Sequence, residues 1–182
     1  MPKALFNVKT DSHAFDAKSR YIGRYSRYVP SNASAPLRAA LAAGAGILAN
    51  EFPLPSVHTQ AQRQAVIAQK AAALSSFFRN NTPQSPSALA FFSPPDTKLF
   101  CWCDPLPCHG SLILFILERV QQLGITSSSP SWGPLANELQ QVAQALRSEP
   151  LTVSPAQLPE SHHIHSLCDQ FRLLSPPQQT LF

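Results

Sequence analysis

The stretch CWCDPLPCHG, residues 101–110, carries the side chains of this sequence that are best suited to chemistry. It holds three of the four cysteines and one of the six histidines. Thiolates and imidazoles act as nucleophiles, as acid–base groups and as metal ligands. Cysteine is also common as a small buried side chain that closes a turn. The stretch therefore admits three interpretations, namely a reactive thiol, a zinc site and a buried turn.

The reactive-thiol interpretation rests on Cys108 and His109. A helical pattern, HGSLILFILERVQQLG, begins at His109 directly after the prolines of DPLPC. The first turn of a helix has unpaired N–H groups and the positive end of the helix dipole, so it favours a thiolate or a bound phosphate. If the protein is an enzyme, which the sequence leaves open, we expect Cys108 to be the nucleophile and His109 an acid or base.

Metal binding is the alternative for the same stretch. A Cys3His set is a recognised zinc shell. The spacing fits less well, because structural zinc sites usually pair their ligands as C-x2-C or H-x3-H, whereas C-x-C on a strand points both thiols to one face. We therefore expect no metal or other cofactor, and we keep zinc as the alternative, with the ligands Cys101, Cys103, Cys108 and His109.

Two arginines are candidates for binding an anion beside the helix start. Arg24 directly follows the strand-like run YIG, and a guanidinium at the carboxyl end of a strand suits an anion held in the crevice of an α/β sheet. Arg63 lies one turn into a predicted helix and has access to the same crevice. The alternatives are a surface salt bridge for Arg24 and a solvated helix face for Arg63.

The elements that must position these residues follow from periodicity and capping. Thr59 followed by Gln62 has the spacing of a capping box, and Gly124 stands where a helix C-cap is expected. Short runs rich in β-forming residues predict strands. The pattern predicts strands over 4–8, 20–23 and 98–103, and helices over 59–79 and 109–123. Strands that alternate with helices favour an α/β fold, here a small Rossmann-like layered domain.

The composition of the chain changes near residue 125. We predict an α/β domain over residues 1–125 and a Pro- and Ser-rich helical extension over residues 126–182, with helices over 135–147 and 160–174. The extension has too few large apolar residues to hold a core alone. It therefore docks on the first domain or binds a protein partner.

Charge and hydropathy narrow the class of partner. The net charge of +4 suits an anionic ligand, but the fourteen Lys and Arg are scattered and form no basic run, which disfavours a nucleic-acid partner. No stretch approaches the ~20 apolar residues that span a bilayer, and the N-terminus lacks the apolar core of a signal peptide. We expect a cytoplasmic protein without a membrane partner, and a disulfide is correspondingly disfavoured.

Several segments together resemble an uncharacterised domain family of bacteria and their phages. Its hallmark is C-W-C-x-P-x-P-C-H-G, which residues 101–110 match throughout. The family's Y-I-G-R segment corresponds to residues 21–24, its G-N-P-F segment to residues 49–52, and its helix-opening arginine to Arg63. At 49–52 this sequence has ANEF, without the glycine and the proline. The resemblance covers roughly residues 4–123 and implies an architecture and candidate residues, but no reaction.

The residues and the resemblance together predict one polar crevice that binds a nucleotide-like or other phosphate-bearing ligand. Arg24 and Arg63 would clamp the anion, and Asn50 would orient it. The helix amides around Gly110 would complete the cradle beside the Cys–His pair. An enzyme with this crevice would be a hydrolase or a transferase. The alternative is a non-catalytic interaction module that zinc stabilises.

Overall fold

The described part of the chain combines a three-stranded sheet with helices, which confirms a mixed α/β class. The structure, a computed structural model, describes residues 4–24, 26–49, 51–52, 59–80, 97–102, 109–125 and 132–148. The strands are β1 (Ala4–Asn7), β2 (Ser19–Tyr21) and β3 (Lys98–Cys101). The helices are α1 (Val8–Asp11), α2 (Ala35–Ala43), α3 (Gln60–Asn80), α4 (His109–Gln122) and α5 (Gly133–Ser148), with 3-10 turns at Ser12–Ala14 and Gly46–Leu48. No helix within these residues has the length and hydropathy needed to cross a membrane.

The three strands form one parallel sheet in the order β1-β3-β2. At their carboxyl ends, Asn7 pairs with Cys101 and Tyr21 pairs with Phe100. We call this end of the sheet, marked by Asn7, Tyr21 and Cys101, the carboxyl edge. In α/β proteins, ligands bind in crevices outside the carboxyl ends of the strands. The segments that follow the strands therefore hold the candidate site.

Alternate residues of β3 enter two apolar clusters on opposite faces of the sheet. Leu99 and Cys101 pack in one cluster with α3, α4 and α5, whereas Phe100 packs in the other with α2 and Phe15. Trp102 follows on the Phe100 side, opposite Cys101. A period of two is the pattern of a strand whose two faces are both covered. Helices therefore shield the central strand from water on both sides.

The predicted capping box starts α3. The Gln62 N–H donates to Thr59 Oγ1 over 3.2 Å, and the Thr59 N–H donates to Gln62 Oε1 over 2.7 Å. Ile67, Ala71 and Leu74, which recur at helical spacing, are all fully buried. The cap and the apolar stripe act on the same segment, and the predicted helix is confirmed.

Gly124 ends α4 in a Schellman motif, as its position predicts. Its φ is +61°, in the left-handed region that glycine enters without a steric penalty. The Gly124 N–H donates to the Gln121 carbonyl over 3.2 Å, and the Ile125 N–H donates to the Val120 carbonyl over 3.0 Å. The helix predicted over 109–123 ends one residue earlier, at Gln122, and Leu123 is 38% exposed.

Apolar and polar contacts dock α5 on α3. Leu135, Leu139 and Val142 of α5 belong to the same apolar cluster as α3 and α4. The Ser75 hydroxyl of α3 donates to the Ala136 carbonyl of α5 over 2.6 Å, and this bond is buried. Because a buried hydroxyl without a partner is destabilising, the bond ties the two helices in one register.

A bidentate ion pair joins α5 to α4. Arg119 donates through Nε and a terminal nitrogen to the two oxygens of Glu138, over 2.6 and 2.5 Å. The Glu138 side chain is 3% exposed, so the ion pair with the Arg119 guanidinium offsets the free-energy cost of removing the carboxylate from water. The helix predicted over 135–147 is confirmed as α5, whereas the one predicted over 160–174 lies outside the described residues. The division near residue 125 stays a prediction.

The turn that follows β2 is built around Gly23. The Tyr21 hydroxyl folds back over this glycine, donates to the Arg24 carbonyl over 2.8 Å and accepts from Trp102 Nε1 over 2.9 Å. A Cβ at Gly23 would lie 2.2 Å from the Tyr21 hydroxyl oxygen, well inside contact distance. Only glycine fits, and the turn fixes the point from which the Arg24 side chain projects.

Replacing Gly23 by alanine should displace Tyr21 from its hydrogen bonds. We expect Gly23→Ala to lower the free energy of unfolding by about 1–3 kcal/mol through overpacking, as measured by urea denaturation. Arg27→Ala, at an exposed position of the same loop, is the control and should change it by less than about 0.5 kcal/mol. Equal stability of the two variants would contradict the described turn.

Leu139→Ala tests whether α5 unfolds together with the sheet. Leu139 is fully buried, so we expect the variant to lose about 2–5 kcal/mol and to unfold in a single transition. Gln144→Ala, exposed on the same helix, should stay within about 0.5 kcal/mol of the parent. A separate transition of residues 1–125 that Leu139→Ala leaves unchanged would show that α5 is not part of that unit.

Candidate functional site

The first residue of α4 is bonded to the end of β2. His109 is 4% exposed, and its Nε2 lies 2.7 Å from the carbonyl oxygen of Ile22. Because a carbonyl only accepts hydrogen bonds, this contact assigns the proton to Nε2, which donates. The Ile22 N–H in turn donates to the Phe100 carbonyl of β3 over 2.9 Å. His109 therefore holds β2, β3 and α4 together at the carboxyl edge.

This bond bears on the acid–base role predicted for His109. With Nε2 committed to Ile22, proton exchange by the ring would have to pass through Nδ1. Burial further limits the access of a substrate to the ring. The geometry favours a positioning role for His109, and its catalytic role stays a prediction.

Arg24 lines a pocket beside the turn after β2. The pocket is open to solvent and has a volume of about 240 Å³, and its other lining residues are Ala43, Gly44, Ala45, Gly46, Ala49 and Glu51. The Ala45 N–H donates to the Gly23 carbonyl over 2.9 Å, which brings the segment after α2 against the turn. Arg24 is exposed, and its guanidinium has neither a hydrogen bond nor an ion pair within the described part of the chain. Arg24 thus lines a pocket near the carboxyl end of β2, and its role in binding an anion stays a prediction.

The second arginine occupies a different environment. Arg63 is 7% exposed and lies in the first turn of α3. Because α3 connects the parallel neighbours β2 and β3, it begins at the carboxyl edge, as does α4. Arg63 is not in the wall of the pocket that Arg24 lines. Gly110, the second residue of α4, is buried. The structure brings the elements that carry these residues to one edge, and of the two arginines only Arg24 lines the described pocket.

Part of the predicted site lies outside the described residues. These positions are Asn50, Cys103 and Cys108. Of the four residues of the zinc alternative, only Cys101 and His109 are described, and Cys101 is fully buried in the apolar core. The described residues contain no group of three His, Cys, Asp or Glu that could hold a metal. The zinc alternative stays a prediction.

Two charged residues without a role in the sequence analysis form an ion pair at the pocket. The Lys70 ammonium is fully buried and lies 2.7 Å from Glu51 Oε2; the Glu51 side chain is 49% exposed and lines the pocket with Arg24. Burial lowers the pKa of Lys70, and the hydrogen bond that Lys70 donates to Glu51 opposes this effect. The sequence contained one signal for Lys70, since it interrupts the apolar stripe of α3 between Ile67 and Leu74. Glu51 gave no comparable signal.

Comparison with known proteins gives a family and no nearer relative. No curated protein and no solved structure matches the chain. Residues 6–119 match the family described as Domain of unknown function (DUF4326). The match confirms the resemblance to an uncharacterised family, and it runs from β1 to α4 through Arg24, Arg63 and His109. Because it spans more than half of the 182 residues, the chain belongs to the DUF4326 family.

Proposed function

We propose that this protein binds a small phosphate-bearing, nucleotide-like ligand at the carboxyl edge of its sheet. The observation that carries the proposal is the Arg24 guanidinium, which lines a pocket without a partner among the described residues. Arg24 comes two residues after Ile22 in the chain, and the Ile22 carbonyl is hydrogen-bonded to His109 at the start of α4. A guanidinium is a strong and geometrically specific partner for a phosphate.

The surrounding backbone adds to the attraction for an anion. α3 and α4 both begin at the carboxyl edge, so the positive ends of their helix dipoles lie there. In a Rossmann-like arrangement of sheet and helices, phosphate groups bind at such helix starts. In the proposal, Arg24 binds the phosphate, the amides around Gly110 contribute to the cradle, Asn50 orients the ligand, and Arg63 adds positive potential from within α3.

A reaction at this site would use Cys108. The thiolate would attack an electrophilic centre of the ligand and form a covalent bond to sulfur while the leaving group departs with the bonding electrons. Water would then release the product in a hydrolase, and a second substrate would do so in a transferase. His109 would hold the helix start in place beside the thiol. A cytoplasmic location, where nucleotides are abundant, belongs to the same proposal.

The role of Arg24 is tested by a thermal-shift screen followed by calorimetry. We expect nucleotides, dinucleotides or sugar phosphates to raise the melting temperature, and Arg24→Ala to weaken the affinity for the best ligand by about 10- to 100-fold. Arg27→Ala removes an exposed arginine that does not line the pocket, so it should leave the affinity within about twofold. A best ligand that binds Arg24→Ala and the parent equally well would refute the proposed site.

The reactivity of Cys108 is tested by alkylation, which needs no known substrate. At pH 7 we expect iodoacetamide to label Cys108 about tenfold faster than free cysteine, because the start of a helix favours the thiolate. Fully buried Cys101 is the internal control and should not react in the folded protein. Mass spectrometry of the peptides reads both rates. Labelling of Cys108 no faster than free cysteine would contradict an activated thiol.

A further inference from the structure

We propose that Glu51, held in place by Lys70, accepts hydrogen bonds from sugar hydroxyls of the ligand whose phosphate Arg24 binds. The inference rests on the proposed function and narrows the ligand to compounds with a ribose phosphate or a similar sugar phosphate. It gives roles to two residues, Glu51 and Lys70, that had none. The site consists of described residues only: Arg24, Glu51, Lys70 and the pocket walls between them.

Arg24 and Glu51 carry opposite charges and share one pocket without forming an ion pair with each other. Arg24 and Glu51 both line the cavity, yet within the described residues they form no ion pair with one another. Oppositely charged side chains on the walls of a small cavity pair directly unless the structure holds them apart. Here Lys70 engages the Glu51 carboxylate, and the bonded turn at Gly23 fixes the backbone from which Arg24 projects. The pocket therefore presents a donor fork and an acceptor to a ligand that carries both complements.

The two oxygens of the Glu51 carboxylate determine which ligand group it would bind. Glu51 Oε2 is engaged by Lys70, whereas Oε1 has no hydrogen-bond partner among the residues that the structure describes. A carboxylate oxygen only accepts, so the ligand group there must be a donor. The charge of Glu51 is already offset by the buried ammonium, which weakens its pull on a second cation. A neutral hydroxyl donor suits this oxygen better than an ammonium group does.

The volume of the pocket limits the size of the group that it holds. The pocket is open to solvent and has a volume of about 240 Å³, below the range of roughly 300–1,000 Å³ for sites that enclose a whole drug-sized ligand. A sugar with one phosphate is smaller than such a ligand. We therefore assign the sugar phosphate to this pocket and place a base or other substituent outside it.

Lys70 acts as a positioning residue in this arrangement. It lies on the buried stripe of α3, and its side chain is fully buried, so the helix fixes the ammonium. The 2.7 Å bond from this ammonium restrains a carboxylate that is otherwise half exposed and free to rotate. A restrained acceptor loses less conformational freedom when it binds a ligand than a mobile one does.

The experiment compares ribose 5-phosphate, 2-deoxyribose 5-phosphate and inorganic phosphate as ligands in calorimetric titrations. We expect the parent protein to bind ribose 5-phosphate about tenfold or more tightly than the deoxy compound, since one hydrogen bond to a carboxylate is lost. Glu51→Gln should reduce this preference to about twofold or less, and it should not weaken the binding of inorganic phosphate, because it removes a negative charge from the pocket. The side-chain carbonyl of the substituted amide still accepts from Lys70, while its NH2 group can only donate to a hydroxyl oxygen, in a neutral and weaker bond.

Two further variants keep the outcome decisive. Glu118→Gln makes the same change on α4 outside the pocket and should retain the preference for ribose. If Glu51→Gln melts well below the parent, the double variant Glu51→Gln with Lys70→Met removes the buried ammonium and is titrated instead. The inference is overturned if either Glu51 variant retains the ribose preference, or if the parent shows none.

Failure of this inference is separable from failure of the proposed function. Phosphate binding that Arg24→Ala weakens and Glu51→Gln does not weaken, without a preference for ribose, overturns the role of Glu51 and supports the anion site. Absence of binding by all three compounds overturns the role of Glu51 as well. The wider nucleotide screen then decides on the anion site.

Discussion

The hydrogen bonds of Ile22 are the constraint on which the candidate site depends. Its N–H donates to Phe100 of the central strand, and its carbonyl accepts from His109 at the start of α4. All three residues are buried, so water does not compete for these bonds. One residue thus fixes the end of β2 against another strand and against a helix. Because Arg24 comes two residues later, its guanidinium projects from a backbone that three elements hold in place.

The pocket wall depends on a second constraint, the burial of Lys70. A buried ammonium is costly to keep charged unless it has a partner, and burial accordingly lowers the pKa of Lys70. The partner is Glu51, half exposed and in the wall of the pocket. The buried Lys70 ammonium therefore determines where the Glu51 carboxylate lies at the surface. In this way the packing of α3 sets the chemistry of a pocket that α3 itself does not line.

Local signals in the sequence predicted the elements, whereas the pairing of distant residues could not be predicted. The capping box at Thr59 and the glycine at position 124 act within a few residues, so both helix ends were found. Arg24 was chosen as a candidate for binding an anion because it follows a predicted strand. The contact between Lys70 and Glu51 spans 19 residues that include part of a turn and a helix start, and periodicity carries no information on such a pairing. The burial of Arg63 likewise depends on how α3 packs on its neighbours.

Contacts with α5 help to position the site, although α5 lines no part of the described pocket. Gln64 and Ser75 of α3 donate buried hydrogen bonds to carbonyls of α5, at Leu146 and Ala136. These bonds lie near the two ends of the contact between the helices, so they fix both the position and the direction of α3. Lys70 lies between them on the same helix. A shift of α3 against α5 would therefore move the ammonium that restrains Glu51, and with it the acceptor that shares the pocket with Arg24.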